Sequence, residues 1–135
     1  MGMGATFNNF DLCHRICDLS EKILGAAIIG DGQLIAMHSK PDVPVPVPSQ
    51  ERFSAIFYQT QLIADMHRSN EDYYGDLRFF TAHFKHGDVF CFPLDKYGFS
   101  SGKALLAFKI LAPYSHDSIV EAVLRCLKKE FLVTG

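Results

Sequence analysis

The stretch ILGAAIIGDGQLIAMH, residues 23 to 38, constrains this chain more than any other. Two apolar runs, 23 to 29 and 33 to 38, flank Gly30-Asp31-Gly32, whose glycines supply the positive φ angles that a tight turn needs. The segment is therefore a β-hairpin. A hairpin pairs antiparallel, so the rest of the chain has to extend an antiparallel sheet and cover its apolar surface.

The remaining segments supply both. LRFFTAHFK (77 to 85) and VFCFPL (89 to 94) flank His86-Gly87-Asp88 as a second hairpin, with the aromatic enrichment that a pleated surface favours. ALLAFKIL (104 to 111) makes a fifth strand. Strands 1 and 5 are apolar at almost every position, which places them centrally with helices on both faces of the sheet; strands 2 and 3 are left at the edges. Helical spacing appears three times. Phe10, Cys13, Ile16 and Cys17 follow Asn8 and Asn9, either of which can cap a helix over 9 to 20. Ser49 caps the main helix, where Phe53, Ile56, Phe57, Thr60, Ile63, Ala64 and His67 line one side and the end falls near Asn70. Val120, Val123, Leu124, Leu127 and Phe131 mark a closing helix from 116 to 132. Between strand 2 and the main helix, Pro41, Pro44, Pro46 and Pro48 make a stiff, extended connection, and NEDYYGD (70 to 76) is a polar turn. The order α-β-β-α-β-β-β-α is that of an α+β domain. At 135 residues and 48% apolar composition one domain spanning 1 to 135 suffices, with residues 1 to 7 expected as a disordered tail.

Charge and hydropathy narrow the function. Thirteen Lys and Arg against fifteen Asp and Glu leave no basic excess for neutralising phosphates, so nucleic acid is not an expected partner. No run approaches the roughly 18 apolar residues of a membrane span, and the start lacks a secretory layout; a cytoplasmic protein is expected.

Motifs that carry chemistry do not assemble. Gly98, Gly102 and Lys103 look like the end of a phosphate-binding loop, but the glycines enclose three residues instead of four, Ala104 replaces the magnesium-binding hydroxyl, and a strand follows where a helix is required. The stretch is a flexible hairpin loop. Cys13 and Cys17, four apart with His14 between them, together with His83 and His86, lack the paired short spacings of a zinc site, and the cysteines read as small apolar core residues. Ser100, Ser101, His116 and Asp117 show no triad spacing. No cofactor or metal is expected. His67 reads as a core or interface histidine, and Tyr58 and Tyr73 suit a subunit contact.

The order of elements, with its long central helix, resembles the roadblock/LC7 domain, and the likeness covers nearly the whole chain. It is similar to uncharacterised archaeal roadblock-like proteins in an L-C-x-x-I-x-x-L helix (Leu12, Cys13, Ile16, Leu19), an A-x-I-x-x-G-x-L-I-A hairpin (Ala27, Ile29, Gly32, Leu34, Ile35, Ala36) and an F-P-L strand (Phe92, Pro93, Leu94). The resemblance implies a five-stranded sheet of order 2-1-5-4-3, in agreement with the central placing of strands 1 and 5. It further implies a non-enzymatic dimer that serves as a scaffold or a regulator of small GTPases.

An aromatic edge strand must be paired or protected, and a twin molecule can do both. The expected partner is therefore a second copy, joined through strand 3, with Phe79, Phe80, Ala82 and Phe84 at the contact and Phe57 and His67 contributed by the main helix. Two alternatives remain at this level. One is a small-molecule sensor with a pocket lined by Tyr58, Tyr73 and Phe99; the other is a cysteine-dependent enzyme.

Overall fold

A computed structural model describes residues 8–44, 47–97 and 103–132. The order is α1 (Asn9–Cys17), β1 (Ile23–Gly30), β2 (Gln33–Ser39), α2 (Gln50–Arg68), a four-residue α3 (Glu71–Tyr74), β3 (Phe80–Phe84), β4 (Gly87–Pro93), a 3-10 turn (Asp95–Tyr97), β5 (Leu105–Ile110) and α4 (His116–Leu132). The five strands form one antiparallel sheet of order β2-β1-β5-β4-β3, with β1 and β5 central and β2 and β3 at its two edges. Residues 1 to 7, 45 to 46 and 98 to 102 fall outside the described residues, so the expected tail, the middle of the Pro-rich connection and the glycine loop are not placed.

The first hairpin is tighter than its glycines suggest. Gly30 pairs with Gln33, so the loop is only Asp31-Gly32, with φ values of 51° and 79°. Two consecutive positive angles are the signature of a turn whose twist matches the strands it joins. The second hairpin turns earlier than expected. Phe84 pairs with Gly87, which leaves Lys85-His86 as the loop and brings Gly87 and Asp88 into β4.

Alternation along the strands divides the core in two. Ala26, Ile28, Ala36, Phe90, Phe92, Leu106 and Phe108 face α1 and α4, meeting Leu12, Cys13, Ile16, Cys17, Val123 and Leu127. On the other face Ala27, Ile29, Cys91 and Leu105 meet Phe57 and Ala64 of α2. Helices cover both sides, as the apolar character of β1 and β5, broken only by Lys109, demands.

Local chemistry sets the helix ends. The Asn8 side chain accepts from the Phe10 and Asp11 amides at 2.9 and 3.2 Å, so Asn8, not Asn9, is the cap. The helix that follows stops at Cys17, short of 20, and Phe10 lies outside its apolar row, 63% exposed. Ser49 accepts from the Arg52 amide at 3.1 Å and starts α2. Beyond Arg68 the chain does not run on as polar turn alone. Residues 71 to 74 wind into α3, and the Glu71 carboxylate accepts from the Leu77 amide at 2.7 Å. This turns the backbone into β3, which begins at Phe80 instead of 77.

Candidate functional site

The core-facing row of α2 is Phe57, Gln61 and Ala64, all buried. Gln61 is polar, and it is fully employed. Its oxygen accepts from the Gly32 amide at 3.1 Å, and its amide nitrogen donates to the Lys103 carbonyl at 3.3 Å and to the Asp65 carboxylate at 3.4 Å. One side chain thus ties the helix to the first turn and to the entry of β5. At the C-terminal end Arg68 donates to Asp95 at 2.6 Å and approaches Glu71 at 3.7 Å, which raises its pKa through that hydrogen bond and the surrounding carboxylates. The C-terminal half of the helix is thereby fixed across the tips of the strands.

Its opposite side is apolar and open. Tyr58, Leu62 and Met66 form an i, i+4, i+8 row that is 58%, 45% and 66% exposed, with Ile63 beside it. The sheet next to it is also incompletely covered. On the α2 face, Ala82, Val89 and Lys109 are only half-buried and Phe84 is 65% exposed. Beyond them, the outer edge of β3 has no neighbouring strand among the described residues. The row starts at the β1–β2 turn, where Tyr58 meets Gly32, and the end of α2 reaches β3 through His67 and Phe80, so α2 and the sheet face it crosses both leave apolar surface open.

The expected contact residues divide accordingly. Phe80, Ala82 and Phe84 lie on this face, and His67 is exposed beside them with its ring centroid 5.3 Å from that of Phe80. Phe57 and Phe79 do not lie there. Phe57 is 8% exposed and fills the core under α2, while Phe79 points to the other face and stacks on Phe92 at 5.1 Å. Two of the six expected contact residues are thus engaged in the protomer's own packing. The exposed row 58, 62, 66 escapes a sequence reading because Gln61 looks solvent-facing, which rotates the apparent apolar face of the helix.

The expected ligand pocket does not come together. Tyr58 packs against Gly32 near the middle of α2, whereas Tyr73 sits past the helix end, 82% exposed and edge-on to Tyr74 at 4.8 Å. Phe99 lies outside the described residues. Two shallow depressions, of about 510 and 370 Å³, involve neither Tyr58 nor Tyr73.

Cysteine chemistry is suppressed by burial. Cys13 and Cys17 are wholly buried and donate weakly to the Ala36 and His38 carbonyls. Burial pushes the Cys13 thiol up to about 12 and the Cys17 thiol up to about 11, and raises Cys91 as well. A thiol must ionise to act as a nucleophile, so these three are poor ones. Among the described residues no group of three or more His, Cys, Asp or Glu could hold a metal ion.

One buried polar cluster had no signal in the sequence. Asp88, 7% exposed, accepts from the Tyr114 hydroxyl at 2.5 Å and from His83 Nδ1 at 2.9 Å. Burial alone would raise its pKa, but the bonds from Tyr114 and His83 outweigh it and hold the carboxyl below the usual range; burial and the same bond push Tyr114 up to about 12. The cluster pins β3 to β4 and to the segment leading into α4.

No family model matches the chain, and no curated protein matches it either. Solved structures do. A roadblock/LC7 domain from Streptomyces avermitilis superposes with a TM-score of 0.67 at 12% identity, over 89% of this chain and 92% of that one. The gliding protein MglB from Thermus thermophilus gives 0.70 at 11% identity over 99% and 94%, and an MglB in a tetrameric arrangement gives 0.71 at 12% over 99% and 93%. At such identities the likeness is one of architecture. The sheet order, the helices on both faces and these superpositions together show that the chain has the roadblock/LC7 fold.

Proposed function

We propose that this protein is a non-catalytic regulatory scaffold that works as a homodimer, in which the β3 edges of two copies pair and each α2 covers the open half of its partner's sheet. The observation that carries the reading is apolar surface left open on one side of the protein: Phe84, Ala82 and Val89 at the β3 end of the sheet, and the row Tyr58, Leu62 and Met66 on the helix that crosses it. Apolar surface of this kind is retained where a partner covers it, and a two-fold pairing of β3 would satisfy the strand edge of both copies at once. The similarity to MglB structures, one of them tetrameric, supports an assembling regulator. A small GTPase in the cytoplasm is the partner that the roadblock resemblance suggests.

Light scattering in the micromolar range should give about 30 kDa, twice the 15.1 kDa chain mass. Leu62→Glu and Phe84→Lys place a charge on exposed positions and should shift that mass toward the monomer while leaving the far-ultraviolet circular dichroism unchanged. A wild-type monomer, or variants that dimerise as well as the wild type, would refute the reading.

A further inference from the structure

The β3 and α2 surface is not the only face with the character of an interface. On the opposite side of the sheet, α4 stands off from Phe79 and leaves the groove of about 510 Å³. Its apolar lining is Phe79, Val120 and Leu124, all half-buried. Charge along the groove is ordered by sign. Asp117, whose side chain is fully exposed, and Glu121 stand toward the N-terminal end of α4, while Arg125 and Lys128 stand toward its C-terminal end. Within the helix Glu121 pairs with Arg125, and the outermost charges, Asp117 and Lys128, have no oppositely charged side chain of another element within ion-pair distance among the described residues.

An arrangement that is acidic at one end, apolar in the middle and basic at the other is complementary to itself reversed. We propose that α4 is a second homotypic interface, in which two copies of this chain pack α4 against α4 antiparallel about a two-fold axis near the middle of the helix. Asp117 and Lys128 are eleven residues apart, about 16 Å at 1.5 Å per residue, so a two-fold midway between them sets each Asp117 against the Lys128 of the other copy. The same operation brings the Val120 and Leu124 segments of the two helices together over the Phe79 grooves. A helix of another protein with random charge order would lack this double match, which is why the second copy is the occupant the groove favours. The contact is confined to one helix and its groove, below the size of a permanent interface, so it is weak and concentration-dependent. It is also independent of the β3 pairing. With both contacts present, assembly proceeds beyond the dimer, stopping at four chains if the two axes cross at right angles and continuing as an open series if they do not.

Charge reversal tests this directly, since both positions are exposed. Analytical ultracentrifugation of the wild type at about 100 μM and low salt should show species in multiples of about 30 kDa, and the larger ones should decline as salt screens the end charges. Asp117→Lys and Lys128→Asp should each abolish them. The double variant D117K/K128D, which restores opposite charges across the two-fold, should recover them. Circular dichroism melting controls for the loss of an acidic residue from the first turn of α4. A Leu62→Glu background separates the two readings: a dimer there that Lys128→Asp dissolves supports the α4 contact even if the β3 reading fails. A wild type that never exceeds the dimer while the Leu62→Glu variant stays monomeric, or larger species indifferent to the single reversals and to the swap, overturns the proposal.

Discussion

Replacing Gln61 by Leu is the sharpest test of how α2 is held. Leucine matches the side chain in bulk and suits the apolar surroundings, so the substitution leaves packing nearly intact and removes only the hydrogen bonds. The Gly32 amide, on a buried residue and bonded to Gln61 at 3.1 Å, loses its acceptor. A buried unpaired donor costs about 1–3 kcal/mol, and the Lys103 carbonyl, on an exposed residue, costs less because water reaches it. Together the expected loss is about 2–4 kcal/mol, a large share of the roughly 5–15 kcal/mol that holds a domain of this size. Urea unfolding at 25 °C measures it as a lower midpoint at unchanged slope. Amide exchange gives a local reading: 2 kcal/mol corresponds to about thirtyfold faster exchange at Gly32 if the loss is felt at the turn. Gln61→Glu separates hydrogen bonding from shape. It keeps the acceptor for Gly32 but sets a carboxylate against the Lys103 carbonyl and Asp65, and it should destabilise more at neutral pH than at acid pH. Stability of Gln61→Leu within about 0.5 kcal/mol of the wild type, with the exchange of Gly32 unchanged, would refute the clamp.

Two further outcomes follow from the buried titratable groups. The Asp88 carboxyl is held below its unfolded value, so it contributes stability above the ordinary carboxylate range that is lost as pH falls through its folded value; acid unfolding below about pH 4 should be less steep in Asp88→Asn than in the wild type, while at pH 7 the variant should be the less stable of the two. Thiol labelling at pH 8 should modify half-buried Cys126 first, with Cys13, Cys17 and Cys91 reacting only as fast as the chain opens, and rapid modification of any of those three in the native state would contradict their burial.

The architecture was legible because its signals are local. An Asp-Gly turn between apolar runs, a Ser cap before a helical period and two strands apolar at every position but Lys109 need no distant partner to be recognised, and together they place β1 and β5 centrally. What was not legible depends on contacts across the fold. Gln61 looks like a solvent-facing residue until the Gly32 amide and Lys103 carbonyl are brought to it, and with it on the wrong side the apolar row of α2 is turned by a full position. The split between Phe79 and Phe80 follows the same rule. Neighbours in a strand point to opposite faces, so one stacks on Phe92 and the other lies near His67, though both read simply as aromatic residues at an edge. The second hairpin was misplaced because its glycine works at the first position of β4, not within the loop.

The two sides of α2 have separate duties, since Phe57, Gln61 and Ala64 hold the helix to its own sheet while Tyr58, Leu62 and Met66 look outward. Substitution of the second set leaves the first untouched. If α2 pairs copies as proposed, two sister chains that drift after a gene duplication only at positions 58, 62 and 66 would keep an identical interior yet come to prefer each other over themselves, so that the fold could give rise to obligate mixed pairs without passing through an unfolded ancestor.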